Sequence, residues 1–479
     1  MQVYLKLEMY INGEWTQGTS GKFSNVINPA TEQMLGSLPL ASADDLDHAL
    51  KAVETGFANW SRTSAYDRSV IMRKAALLVR ERVANIARLM TLEQGKPLTE
   101  STAEAASAAD HIEWYAEEGR RAYGRLIPPR SPNVRQMVVQ DPIGPVAAFT
   151  PWNFPINQAV RKIAGALAAG CSIIIKAPEE TPASCIELVR CFHDAGVPAG
   201  VVNLVFGVPH EVSEYLIASP IIRKVSFTGS TRVGKQLGEL AARHVKRTTM
   251  ELGGHAPFIV CEDADLEPAV KLAVALKLRN AGQVCAAPSR FYVHRNIFDQ
   301  FVSRFKELSS AVVIGDGTDF ATQMGPLANI RRLQAMESFV SDAVSGGAEI
   351  LAGGARVHEK GYFYPPTIMI SLDDQARVLH DEPFGPIAPF MPFDELDEVI
   401  SKANSLPYGL ASFAFTRSIV NATELGNRLA TGMVSINHFG LALPETPFGG
   451  IGESGFGSEG GMEGLQAYMM TRFISQAAA

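Results

Sequence analysis

Pro145-Val-Ala-Ala-Phe149-Thr-Pro-Trp-Asn153-Phe-Pro155 sets a short apolar run against a polar, proline-bounded cluster. The run predicts a buried strand, and the segment 156–169 that follows predicts a helix. The unit then repeats. Ser172-Ile-Ile-Ile-Lys176, Gly200–Phe206 and Lys224-Val-Ser-Phe-Thr228 predict strands, and 182–195, 210–218 and 231–243 predict helices. A further strand, Arg247-Thr-Thr-Met250, runs into Glu251-Leu-Gly-Gly254. Short apolar strands alternating with helices imply a parallel sheet covered on both faces, hence an α/β fold. Ligands of such sheets bind beyond the carboxyl ends of the strands, so the residues just after each run carry the information.

Four clusters occupy those places. Asn153 lies between Pro151-Trp152 and Phe154-Pro155, so its backbone is constrained; a fixed amide suits an oxyanion donor, or satisfies its own turn. Lys176 and Glu179 suit ribose hydroxyls, with Glu179 repelling a 2′-phosphate, or form a solvated ion pair. Gly229-Ser-Thr-Arg-Val-Gly234 opens a helix and suits a phosphate, or is a plain strand–helix turn. Glu251, followed by two glycines, suits a general base, or points to solvent.

A fifth cluster stands apart in Lys277-Leu-Arg-Asn-Ala-Gly282-Gln-Val-Cys285-Ala-Ala-Pro288. Gly282 permits close backbone approach, and Cys285 sits where a partly exposed thiol acts as a nucleophile. The alternative is a small buried hydrophobe, the commonest state of a free cysteine.

Outward from these clusters, residues 10–39 predict short strands and turns, and 42–122 helices, the first capped by Ser42 or Asp44. Residues 125–141 predict a projecting hairpin. From Pro257 the α/β rhythm resumes with strands at 257–260 and 290–293 and helices at 266–278 and 297–309; the tail is β-prone. The chain has 479 residues, 46% of them apolar, and a net charge of −7. That supports sizeable cores. The lack of a basic block argues against nucleic acid. The uncharged run 163–175 is too short to cross a bilayer, so no membrane partner is expected. Five cysteines without a CxxC pair fit reduced thiols in the cytoplasm, and no metal site is expected.

Taken together, the motifs resemble those of the aldehyde dehydrogenase superfamily. Phe149–Pro155, Lys176 with Glu179, Phe227-Thr-Gly-Ser-Thr231, Glu251–Gly254, Gly282–Cys285, Glu382-Pro-Phe-Gly-Pro386 and Pro447-Phe-Gly-Gly450 occur in the family's order over essentially the whole chain. Pro383, where many relatives carry an aliphatic residue, is a departure. The closer similarity is to α-ketoglutarate and succinate semialdehyde dehydrogenases.

The resemblance implies a Rossmann-type cofactor domain (1–122 and 143–253), an α/β catalytic domain (254–453) and a small β oligomerisation element (123–142 and 454–479), assembled as a homodimer or homotetramer. It implies Cys285, Glu251 and Asn153 as catalytic residues. NAD, with NADP possible, would be bound by Thr150, Pro151, Trp152, Lys176, Glu179, Gly229, Ser230, Leu252, Glu382 and Phe384. A small aldehyde, α-ketoglutarate semialdehyde before succinate semialdehyde, would meet Arg161, Arg279, Phe154 and Asn157. Three alternatives remain at this point: a broad-specificity aldehyde dehydrogenase, an enzyme passing its thioester to phosphate or CoA, and an inactive structural relative. Glu251 favours water as the acceptor.

Overall fold

A computed structural model describes residues 4–477. Val146–Phe149 lies inside an eight-stranded sheet, flanked by Ile173–Lys176 and Lys224–Thr228, both parallel to it. Val202–Val205 and Arg247–Glu251 extend the parallel core on either side. The chain builds one half outward, then returns across Val146–Phe149 to build the other. Strand order therefore reverses between Val146–Phe149 and Lys224–Thr228, and a crevice opens at their carboxyl ends. Short antiparallel strands close both edges: Met9–Ile11 with Glu14–Thr16 on one, Gly455–Phe456 on the other. Ile173, Ile174 and Ile175 are wholly buried, each contributing about 1.5–3 kcal/mol of burial energy.

The helices follow the expected bounds closely. Pro155–Ala169, Pro182–Ala195 and Pro209–Ala218 each begin with proline, whose missing N–H has no intrahelical partner to lose there. Thr231–Arg243 is capped by Ser230. Of the two candidate caps for Ala43–Trp60, Ser42 serves, in a capping box with Asp45. Ala65–Gln94 stops at Gly95, which takes the left-handed conformation (φ 97°) that terminates a helix without a Cβ penalty.

A second sheet has seven strands in the order Glu349–Ala352, Thr367–Ile370, Ile387–Phe393, Pro288–His294, Ala256–Val260, Ala411–Phe415 and Met433–Ile436. All pairings are parallel except that of Glu349–Ala352. Ile387–Phe393 is an interior strand despite Pro389 and Pro392, residues that in a sequence argue against one. Pro288 opens its strand, the position where proline is tolerated. A third sheet pairs Arg125–Ile127 with Val134–Pro142, forming the hairpin expected at 125–141, and adds the tail strand Met469–Ala477 in a nine-residue register. Among the described residues no helix is long and apolar enough to cross a membrane.

Candidate active site

The crevice at the strand reversal is a groove of about 980 Å³. Thr150, Pro151 and Trp152 line it from the end of Val146–Phe149, and Gly229 and Ser230 from the end of Lys224–Thr228. The Lys176 ammonium lies 2.6 Å from Glu179, whose carboxylate also accepts the Gly207 N–H at 3.2 Å. Burial raises the Glu179 carboxyl above its ordinary value, and Lys176 opposes that shift. Three features fit a dinucleotide: a long groove, a helix N-terminus at Ser230 that favours an anion, and a polar pair beside the next strand. The buried Thr150 hydroxyl adds to the fit, having no partner among the described residues.

A second cavity lies beyond Phe154, in the segment that follows the groove-lining Thr150–Trp152. Cys285 lines it together with Phe154, Asn157, Gln158, Arg161, Arg279, Phe439, Leu441, Ala442 and Phe448. Of the five cysteines, Cys285 alone is partly exposed. Burial pushes its thiol up to about 12, with the Glu382 and Glu251 carboxylates adding to the shift and Arg161 opposing it. The turn before it is tightly held. Asn280, Ala281 and Gly282 are successive left-handed residues (φ 48°, 51° and 73°). A Cβ at Gly282 would fall 2.1 Å from the Gly385 carbonyl, so only glycine lets the two segments touch. Asn153 is buried and donates its side-chain N–H to the Gln283 carbonyl at 3.0 Å. An amide carries two such hydrogens; the second bonds nothing among the described residues, the buried Oδ1 is unpartnered too, and Asn153 is not among the residues lining groove or cavity.

The two expected arginines differ. Arg161 is buried; it donates to the Ala442 carbonyl (3.3 Å) and to His111 Nε2 (3.4 Å), and its guanidinium lies 4.6 Å from the Phe448 ring centre. Burial and the Arg161 charge hold His111 neutral, well below the usual imidazole range. Arg279 has no hydrogen bond or ion pair among the described residues and stacks over Phe154. Asn157 lines the cavity while its amide oxygen accepts from Ser107 at 3.0 Å.

Glu251 closes its strand fully buried, and neither carboxylate oxygen has a partner among the described residues. Burial and the neighbouring Glu459 push its carboxyl well above the ordinary range, while Lys162 and Arg161 pull it down. Lys162 is bonded to Glu459, Thr228 and Ser226. Glu382, half-buried, accepts a long bond from the Gly254 N–H (3.4 Å), and desolvation raises its carboxyl to about 7. Phe384 meets Trp152, on the groove wall, edge-on at 5.7 Å. Leu252 does not line the groove; it packs against Gly234 in the helix behind it.

Sequence reasoning missed Gln158, whose buried Oε1 is unpartnered among the described residues, and the wall Phe439-Gly-Leu441-Ala442. A run of apolar residues with no helical or strand period was the available signal.

The profile of the aldehyde dehydrogenase family matches residues 15–474. The chain is 49% identical to 4-(hydroxymethyl)benzenesulfonate dehydrogenase of Comamonas testosteroni over 98% of this chain and 97% of that protein. It is 42% identical to the NADP(+) succinate-semialdehyde dehydrogenase of Escherichia coli over 97% and 96%. The crystal structure of an Escherichia coli NADP-dependent enzyme superposes with a TM-score of 0.97 at 40% identity, covering 99% of both chains.

Proposed function

The chain belongs to the aldehyde dehydrogenase family, and from that premise we propose that it oxidises an aldehyde bearing a distal anionic group to the corresponding acid. α-Ketoglutarate semialdehyde is the first candidate and succinate semialdehyde the second. The observation that carries this is Arg279, a guanidinium that lines the cavity holding Cys285, stacks on Phe154 and makes no hydrogen bond or ion pair among the described residues, with the Glu100 carboxyl as a charged neighbour. Guanidinium matches a carboxylate with two parallel bonds.

In this reading the Cys285 thiol loses its proton to water and the thiolate attacks the aldehyde carbon, whose carbonyl π electrons go to the oxygen. The oxyanion is met by the free N–H of Asn153 and the Cys285 main-chain N–H. Lys176 and Glu179 would hold the adenosine ribose and Glu382 the nicotinamide ribose. Gly229 and Ser230 would hold the pyrophosphate, Thr150, Pro151 and Trp152 the groove wall, and Phe384 the nicotinamide face. The nicotinamide, when bound, supplies the acceptor for the hydride. The carbon is then a thioester on Cys285, and Glu251 takes a proton from the water that hydrolyses it. Burial that raises a carboxyl makes its ionised form the more basic one. Residues 1–122 with 143–253 would form the cofactor domain, 254–453 the catalytic domain and 123–142 with 454–479 the oligomerisation element; the edge strand Met469–Ala477, with Met470 and Phe473 exposed, supports subunit contacts there.

A second reading rests on the cavity wall. Phe154, Phe439 and Phe448 line the space that Arg279 enters, a setting for an aromatic ring with an anionic substituent. The relative named for 4-(hydroxymethyl)benzenesulfonate points the same way. The test is reduced-cofactor formation with α-ketoglutarate semialdehyde, succinate semialdehyde and 4-formylbenzenesulfonate, against butanal and benzaldehyde. Charged aldehydes should lead in kcat/KM by about ten- to a hundred-fold. Equal rates with neutral aldehydes would overturn the anionic assignment, and the order among the charged three decides between chain and ring.

A further inference from the structure

Outside the residues that line groove and cavity lies an ion pair wholly shut off from solvent. Lys96 and Glu104 have no exposed side-chain surface, and Lys96 Nζ lies 2.5 Å from Glu104 Oε2. The ammonium also donates to the Asn153 carbonyl at 2.7 Å and sits 3.9 Å from the Phe154 ring centre. Glu104 Oε1 accepts the main-chain N–H groups of Ile156 and Asn157, the first turn of the helix after Asn153. The Asn153 carbonyl accepts a second bond, from Asn280 Nδ2 at 2.9 Å, and Asn280 N–H donates to Glu100 at 2.9 Å. Lys96 follows the helix-ending Gly95, and its backbone packs under Gly317. Burying two charges costs more than an apolar pair of similar shape would. Here the cost falls where the Asn153 segment meets the strained turn before Cys285.

Resting on the reading of Asn153 as oxyanion donor, we propose that Lys96, fixed by Glu104, is a positioning residue: it clamps the Asn153–Phe154 peptide to the Asn280–Gln283 turn and so sets the distance between the Asn153 amide and Cys285. Asn153 is then held twice, through its carbonyl by Lys96 and Asn280 and through its side chain by Gln283. Neither Lys96 nor Glu104 lines the cofactor groove or the substrate cavity. Loss of the clamp should therefore slow acylation without changing binding.

The experiment compares Lys96→Met, Lys96→Met/Glu104→Gln and Asn153→Ala as full-length enzymes. It reads the rapid burst of reduced cofactor, the aldehyde KM, cofactor Kd and thermal midpoint. Lys96→Met strands the Glu104 charge and should lower the midpoint; the double variant removes both charges and should regain it. Misplacing a reacting group by about 1 Å costs on the order of 10²-fold. The burst rate should fall by about that factor in both Lys96 variants, with KM and cofactor Kd within about twofold of the parent enzyme. A double variant whose burst rate recovers together with its stability would overturn the proposal, making the pair structural only. A slow burst in Asn153→Ala beside a normal one in either Lys96 variant would overturn it as well. A normal burst in Asn153→Ala would overturn the oxyanion assignment, and this proposal with it.

Discussion

The guanidinium carbon of Arg279 lies 5.0 Å from the centre of the Phe154 ring, on the wall of the cavity that contains Cys285. Phe154 follows Asn153, and Arg279 precedes Asn280, so the contact joins the two segments assigned to the reacting carbon. Arg161, one helical turn past Asn157, faces the same cavity but is bonded to Ala442 and His111. Arg161 is thus tied to the wall at residue 442, and under the proposed function the substrate anion falls to Arg279.

The thiol of Cys285, pushed up to about 12 chiefly by burial, should alkylate slowly at neutral pH. Only the thiolate reacts, so the iodoacetamide rate should climb about tenfold per pH unit through about pH 9 without a plateau. Glu382 is the largest charged contributor to that shift, and its own carboxyl lies at about 7. Glu382→Gln should therefore speed alkylation at about pH 9, where the carboxylate is charged, and have little effect at about pH 6, where it is protonated. A plateau near neutral pH in the parent enzyme would mean a stabilised thiolate.

Glu251→Gln should leave the burst of reduced cofactor largely intact and depress the steady state by about 10²–10⁴-fold, the usual worth of a general base. Its unpartnered, buried oxygens are the motive. Rapid mixing checks it, and a vanished burst with normal cofactor binding would move Glu251 to an earlier step.

The proposed ribose contact makes Glu179 the test of cofactor choice. Its carboxylate is partly neutralised by Lys176 at 2.6 Å, and Arg232 and Arg331 line the same groove. NAD should be preferred over NADP by a moderate factor, and Glu179→Ser should shrink it. The ratio of kcat/KM values for the two cofactors measures this; a parent enzyme better with NADP would place control with the arginines.

Much of the cofactor half was legible in sequence because its signals are local. The strand Lys224–Thr228 and the helices Pro182–Ala195 and Thr231–Arg243 coincide with their apolar periods. The clusters after Phe149, Lys176 and Thr228 stand at one crevice because parallel strands end on one side. The second sheet was less legible: Ile387–Phe393 carries two prolines, and tertiary packing overrides that local signal. Lys96 falls unmarked within the helical stretch 42–122, since its partners Glu104 and Asn153 come together through packing rather than any local pattern. Phe439 and Leu441 escaped notice for a related reason, lying in a connection with no period to mark a face.

Arg279→Met tests the central claim most directly, through kcat/KM for anionic aldehydes and for uncharged aldehydes of matched length. A charge-assisted bond contributes roughly 1.5–3 kcal/mol, or about ten- to a hundred-fold. The account predicts a loss of that size for α-ketoglutarate semialdehyde, succinate semialdehyde or 4-formylbenzenesulfonate, with butanal and benzaldehyde unchanged or improved. An equal loss for charged and uncharged substrates would contradict it and leave Arg279 as a support for Phe154 alone.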